Sequence, residues 1–500
     1  MKLSPILLFI TLCLTAFAMP AFPVDKPSAS TPEALYQTHC AACHHPQRLG
    51  GVGPALLPES LGRLRPQQAQ DVILHGRVAT QMPAFQDRIT ESQATQLAAY
   101  LFQPAPTPPQ WTQDDIRASH IIHFPKSSLS DKPVFEADLM NLFIVVESGD
   151  HHATLLDGDA FKPIHRFKTR YALHGGPKFS PDGRYVYFAS RDGWISQFDI
   201  YNLKTVAEIR VGLNTRNLAL SADGRWVIVA NYLPQNLVLL NADRLSPAKT
   251  FPVNSDGQGS RVSAVYTAPQ RHSFIAAMKD IRELWEIDYD QPDFPVRKIA
   301  TEDYLDDFFF DQEYQHLIGA SRSGESGQVI ELNSGATIAT LNLPGMPHLG
   351  SGISWETEQG PLMMTPHLKE GALSVINMKD WSLVKTLSTL GPGFFTRSHD
   401  GSPYIWVDVF FGPNKDKLHV IDKNTLEIIA TLTPEPGKTA AHVEFTKDGR
   451  FALVSLWEDD GALIVYDALT LKEVARLPMS KPSGKYNVYN KTHYVRGTSH

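Results

Sequence analysis

The chain has 500 residues, with 46 Lys and Arg against 53 Asp and Glu and a net charge of −7 at neutral pH. Dispersed basic residues in an acidic chain exclude nucleic acid as the expected partner, and past the N-terminal leader no apolar run is long enough for a membrane span. Of three cysteines one, Cys13, falls in the leader, so no disulfide framework remains.

Residues 1–18 carry Lys2, an apolar core from Ile6 to Leu14 and the small-residue end Ala16-Phe17-Ala18. This pattern predicts a secretory signal peptide cut near Ala18. Leu12 before Cys13 makes a poor lipoprotein site, so a soluble protein exported to the periplasm is expected.

An amphipathic stretch, Pro32 to His39, leads into Cys40-Ala41-Ala42-Cys43-His44. C-x-x-C-H is the attachment site of a c-type haem: Cys40 and Cys43 form the thioethers and His44 ligates the iron. Such a haem is attached after export, in agreement with the leader. The loop Gly50-Gly51-Val52-Gly53-Pro54 follows, then Gln81-Met82-Pro83, in which Met82 offers a thioether as sixth iron ligand. Glu91 to Phe102 has the apolar spacing of a closing helix. Residues 19–103 are therefore expected to be a small all-α cytochrome c domain. The proline-rich stretch that begins Gln103-Pro104-Ala105-Pro106 marks a stiff linker, 104–118.

Beyond it, over 119–500, helical periodicity gives way to short β-rich runs. Phe179-Ser180-Pro181-Asp182-Gly183-Arg184-Tyr185, Leu220-Ser221-Ala222-Asp223-Gly224-Arg225-Trp226 and Phe445-Thr446-Lys447-Asp448-Gly449-Arg450-Phe451 each read as strand, Asp-Gly turn, strand. A second element, an apolar strand ending in Asp or Asn, recurs at Asp157, Asp199, Asn241, Asp288, Asn333, Asn377, Asp422 and Asp467. Eight markers 42 to 47 residues apart predict an all-β, eight-bladed β-propeller.

The repeat also supplies a coordinate system. Counting 15 to 20 residues past each marker collects His174, Arg216, Arg261, Asp306, His348, Phe394, His442 and Tyr486, which are expected to ring one mouth of the central channel. Imidazoles for a metal and guanidinium groups for carboxylates suit a flat, acidic ligand such as a tetrapyrrole. The histidine spacing does not fit structural zinc. From the residues alone, a propeller without a second cofactor stays open.

A c-haem domain followed by an eight-bladed propeller resembles the cytochrome cd1 family over essentially the whole mature chain. Pro482-Ser483-Gly484-Lys485-Tyr486-Asn487-Val488-Tyr489-Asn490 is similar to that family's C-terminal segment, and Tyr171-Ala172-Leu173-His174 to its proximal haem d1 ligand motif. The resemblance implies that His174 ligates the haem d1 iron and that Arg191, Arg216 and Arg261 hold haem carboxylates. The family's nitrite reductases place two distal histidines over the iron. Here Leu305-Asp306-Asp307 replaces the first and Met346-Pro347-His348 matches the second, which implies His348 as a sixth iron ligand. This departure resembles the branch that converts a propionate of dihydro-haem d1 to an acrylate during haem d1 biosynthesis. For that oxidoreductase His442, with a pKa near neutrality, is the expected base, and Tyr486 orients the propionate. Electrons are expected to leave through haem c to an external acceptor, and a nitrite reductase or another haem d1 maturation protein is a further expected partner. The alternatives are nitrite reduction to nitric oxide and non-catalytic carriage of haem d1.

Overall fold

The Asp-Gly turns form because two local devices agree. In each, a hydroxyl two residues before the aspartate donates to its carboxylate at 2.5 to 2.7 Å, as Ser180 does to Asp182, Ser221 to Asp223 and Thr446 to Asp448. The following glycine takes the left-handed backbone that costs other residues energy: Gly183 at φ 71°, Gly224 and Gly449 at 72°. In this computed structural model, which describes residues 31–494 apart from 51–52, 59, 62–63, 78–81, 106–108, 171, 174 and 322–325, these turns join strands of a propeller. Residues 1–18, expected to be a signal peptide, and the last six residues lie outside the described residues.

Eight blades of antiparallel strands surround the channel. The repeat markers end the third strand of a blade and cap the turn that follows: Asp199 accepts from the amides of Tyr201 and Asn202, Asp422 from those of Asn424 and Thr425. Blade 5 differs. There the third strand ends at Glu331, whose carboxylate takes the amides of Asn333 and Ser334, so the capping acceptor stands two residues before the expected Asn333.

Blade 1 closes the ring by taking its innermost strand, Pro482–Asn487, from the far end of the chain and pairing it with Leu142–Glu147. Blade 2 carries a fifth, outer strand, Ile121–Ile122. Apolar clusters between successive blades form the core, for example Ile228, Leu237, Phe274 and Trp285 between blades 3 and 4. Beyond the last strand a short helix, Val488–Thr492, borders a cavity of about 340 Å³ at the channel end where the inner strands run into their turns.

The cytochrome domain contributes α1 (Pro32–His39), α2 (Ala41–His44), α3 (Pro66–His75) and α4 (Glu91–Leu101), packed around Tyr36, Ile73, Phe85, Ala94 and Leu97. The stretch expected to be an extended linker is partly folded. Residues Gln113–Ala118 form helix α5, which Thr112 caps and Ile116 buries into the cluster between blades 2 and 3. The capping box Thr112-x-x-Asp115 is a start signal that outweighs the prolines upstream.

Candidate functional site

Helix α1 ends at Cys40, and α2 turns the C-x-x-C-H residues so that His44 points inward. The residue is 7% exposed, and its Nδ1 lies 2.8 Å from the carbonyl of Pro54. That bond assigns the proton to Nδ1 and leaves Nε2 with the lone pair an iron requires. A Cβ on Gly53 would sit 2.3 Å from His44 Cε1, so only glycine lets the loop cross the imidazole. Cys40 and Cys43 form no disulfide, and Cys40 packs with Met82 against one apolar cluster. Burial, then Cys43, pushes the Cys40 thiol up to about 11, opposite to the depressed thiol of a redox-active C-x-x-C. Thioether attachment with His44 as ligand and Met82 at the crevice fits this donor set.

The haem-attachment turn leans on blade 2. Arg210 donates from Nη2 to the Leu49 carbonyl at 3.3 Å and from Nε to the Asp192 carbonyl at 2.8 Å. Its guanidinium stacks over Trp111 at 4.7 Å, and the Trp111 indole donates back to the Arg210 carbonyl at 3.0 Å.

At the channel mouth the inner strands share one device. Register slips in blades 3, 4, 5 and 8 leave Arg216, Ser263, Asp306 and the pair His442 and Val443 without a cross-strand partner. A bulge re-aims such a residue out of the ladder. His442 adopts φ +51°, a left-handed backbone that costs a non-glycine residue energy and collects at functional sites. The side chains then meet in an aromatic arc. Centroids are 4.3 Å apart for His348 and Phe394, 4.6 Å for Phe394 and Phe395, 4.7 Å for Phe395 and His442, and 5.3 Å for His442 and Tyr486. The expected base, phenol and distal imidazole therefore lie on one wall, from blade 6 round to blade 1.

His348 presents the same tautomer as His44: Nδ1 lies 2.7 Å from the Phe394 carbonyl, and Nε2 is 3.7 Å from Asp307 Oδ2. Its side chain is 17% exposed, and burial lowers its pKa. The expectation of a near-neutral pKa for His442 is corrected. Burial first, and then Lys485, Arg397 and Lys491, hold it well below the ordinary histidine range. The ring is thus neutral, and its Nδ1 is buried with no hydrogen-bond partner among the described residues. Burial raises the Tyr486 phenol to about 12, so it remains a donor.

The arginines divide. Arg191 and Arg216 stand together: burial, then Arg216, then Arg77 of the cytochrome domain are among the causes that push Arg191 down to about 10. This clustered positive charge favours an anionic ligand. Arg261 is already engaged, making a two-point ion pair with Asp280 at 2.8 and 2.7 Å. Asp306 pairs with Lys279 at 3.0 Å, while the neighbouring Asp307 faces His348. His174 and Tyr171 lie outside the described residues. Next to them Gly175 and Gly176 hold φ +84° and +68°, and a Cβ on Gly176 would come within 2.9 Å of the Tyr486 ring. The backbone beside Tyr486 is therefore kept bare, as a flat ligand needs. Imidazole, clustered guanidinium and aromatic faces together fit an acidic tetrapyrrole.

Sequence reasoning missed Asp307, Arg397, Asp408 and Lys485, all buried or nearly so around this arc. Arg397 stands 20 residues past Asn377, inside the window that selects Phe394. Asp408 ends a second strand and carries no repeat signal.

Comparison with known proteins identifies the family. Residues 137–491 match the cytochrome D1 heme domain, and residues 27–101 match cytochrome C oxidase, cbb3-type, subunit III. The chain belongs to the cytochrome d1 haem-domain family, with a c-type cytochrome domain ahead of the propeller. It is 60% identical to dihydro-heme d1 dehydrogenase of Pseudomonas aeruginosa, over 94% of this chain and 95% of that protein. A solved structure, dihydro-heme d1 dehydrogenase NirN in complex with DHE, superposes with a TM-score of 0.85 at 59% identity, covering 92% of this chain and all of that one. Against nitrite reductase of Stutzerimonas stutzeri the identity is 24%, over 96% of this chain and 95% of that protein.

Proposed function

We propose that this protein dehydrogenates a propionate side chain of dihydro-haem d1 to an acrylate, in the periplasm, as a step of haem d1 biosynthesis. The observation that carries the reading is the arc His348, Phe394, Phe395, His442, Tyr486 together with the Arg191 and Arg216 pair, whose Arg216 acts on His348. Converting CH2–CH2 to CH=CH releases two protons and two electrons. When bound, the tetrapyrrole iron and the covalent haem c supply the redox chemistry, and an external acceptor takes the electrons onward.

The chain's own residues handle position and protons. When the tetrapyrrole is bound, His174 and His348 would ligate its iron, and Arg191, Arg216 and Arg261 would hold ring carboxylates, Arg261 while ion-paired with Asp280. His442 is neutral, so it can accept a proton from the side chain, and the Tyr486 hydroxyl donates a hydrogen bond to the propionate. Two features favour this over nitrite reduction. Asp306 is paired with Lys279, which favours the acceptor-only carboxylate over a proton donor. His348 is held by its Nδ1 bond, so its Nε2 would be available as an iron ligand and would compete with nitrite for the iron. Residues 1–18 support export, and among the described residues no helix is long and apolar enough to cross a membrane. After turnover the product must still reach its user, so a nitrite reductase or another haem d1 maturation protein is the expected partner.

The test is anaerobic. Purified protein is mixed with dihydro-haem d1, and product mass is followed together with haem c absorption. Loss of two hydrogens with haem c reduction is the expected result, and it should be slowed at least a hundredfold by His442→Ala. Tight binding without a mass change refutes the dehydrogenase and leaves a carrier, or a reductase to be assayed next with nitrite.

A further inference from the structure

Asp408 ends the second strand of blade 7, Tyr404–Asp408, and is 1% exposed. It is shut off from solvent, and its carboxylate gathers three backbone amides from two blades. Oδ1 accepts from Phe394 at 2.7 Å and from Phe395 at 3.0 Å, and Oδ2 accepts from His442 at 3.2 Å. The Phe394 and Phe395 residues meet at a single peptide unit. The N–H of that unit points at Asp408, and its C=O, on Phe394, accepts from His348 Nδ1 at 2.7 Å and from the Ser351 hydroxyl at 2.7 Å.

A charged acceptor on one end of an amide polarises it and strengthens the acceptor on the other end. The chain carboxylate, amide, imidazole is the backbone counterpart of the carboxylate–histidine pairs that orient metal-ligating imidazoles. The second oxygen of the same carboxylate anchors the amide of His442, the residue held at φ +51° within a bulge. The two histidines stand in blades 6 and 8, and this one carboxylate reaches the backbone that holds each of them.

We propose that Asp408 is a positioning residue that sets the distal iron ligand and the base as one unit: through the Phe394–Phe395 amide it orients His348, and through the His442 amide it holds the strained turn that aims the imidazole. This rests on the functional reading above, in which His348 serves the iron and His442 the propionate. Aspartate is required because three N–H donors need two acceptor oxygens. Asparagine offers one, and its NH2 would face an N–H.

The experiment is Asp408→Asn in the full-length protein with its haem c attached. Without tetrapyrrole, amide hydrogen exchange at Phe394, Phe395 and His442 is expected to speed up at least tenfold. With dihydro-haem d1 added, the visible spectrum of the bound tetrapyrrole should shift as the distal imidazole loosens. The kcat should fall between tenfold and a hundredfold at a KM within a factor of two. Faster exchange with an unchanged spectrum and unchanged kcat would make Asp408 a local structural residue and overturn the proposal. Unchanged exchange overturns it as well. If the variant does not fold, Ser351→Ala tests the same link from the other end, because it removes the second donor on the Phe394 carbonyl and leaves Asp408 intact. A smaller spectral shift with unaltered His442 exchange is then expected, and an unshifted spectrum overturns the His348 arm. Wild-type protein that fails to desaturate dihydro-haem d1 defeats the functional reading instead, and the exchange measurement still reports on the carboxylate.

Discussion

Arg210→Ala should undock the cytochrome domain from blade 2 without touching the tetrapyrrole mouth. The half-buried guanidinium makes one hydrogen bond across the domain boundary, to the Leu49 carbonyl, and at 3.3 Å it is long. The low end of the range for a charged donor is appropriate there, about 1.5 kcal/mol. Stacking on Trp111 at 4.7 Å adds about 1 kcal/mol at a partly exposed site, and it ties the connector to the same blade. The bond to the Asp192 carbonyl stays within blade 2 and does not count towards docking. A loss of about 2.5 kcal/mol lowers the docking equilibrium roughly sixtyfold. Limited proteolysis between Gln103 and Gln110 reads this directly, because cleavage tracks the open population while docking remains dominant. Cleavage is expected to accelerate between tenfold and a hundredfold, with tetrapyrrole affinity unchanged within a factor of two and slower haem c reduction in single turnover. A cleavage rate within twofold of wild type would refute the docking role of Arg210.

Tyr486→Phe keeps the ring that packs beside His442 and removes only the hydroxyl. It should therefore leave tetrapyrrole binding intact and lower kcat about tenfold to a hundredfold, with product mass appearance as the assay; full activity would exclude the phenol from the reaction. The pH profile tests the correction made to His442. Its pKa in the folded protein is held below the ordinary 6.5, so the neutral form, which is the active one, persists as pH falls through 6.5. The acid limb of kcat/KM, which reports the free protein, is accordingly expected below 6.5. Substrate carboxylates that neutralise nearby cations such as Arg397 reduce what depresses the imidazole, so the limb of kcat, which reports the complex, should lie at higher pH than that of kcat/KM. Coincident limbs, or a kcat/KM limb at or above 6.5, would show that the buried cations do not act on the base.

Why so much of this site was legible in the sequence, and where legibility stopped, follows from what each signal encodes. Cys40 and His44 announce a haem because the ligands lie within one turn of helix, so sequence spacing is spatial spacing. The propeller is legible because each blade repeats a local device, an Asx-capped turn and an Asp-Gly hairpin, and the repeat converts chain position into angle around the channel. That conversion brought His348, His442 and Tyr486 to one wall although 138 residues separate the first and last. It fails by small amounts where the cap moves, as from Asn333 to Glu331.

The bulges at Arg216, Asp306 and His442 left no mark, since one extra residue in a strand alters the repeat length by no more than ordinary loop variation does. Pairings across blades are more opaque still. Arg261 and Asp306 are read from the sequence as a cation and a carboxylate at the mouth, and the fold gives each a partner, Asp280 and Lys279, both just past the end of blade 4's second strand, Ser273–Met278. The repeat therefore predicts which residues reach the mouth, whereas their charge state and orientation depend on partners it does not index. His442 shows the consequence most clearly: its position was readable from the marker at Asp422. Its neutrality comes first from burial and then from Lys485, Arg397 and Lys491, contributed by the strand that closes blade 1, by blade 7 and by the terminal helix. A base assembled from three distant segments forms only when the ring closes, which ties acid–base competence to pairing of Pro482–Asn487 with Leu142–Glu147.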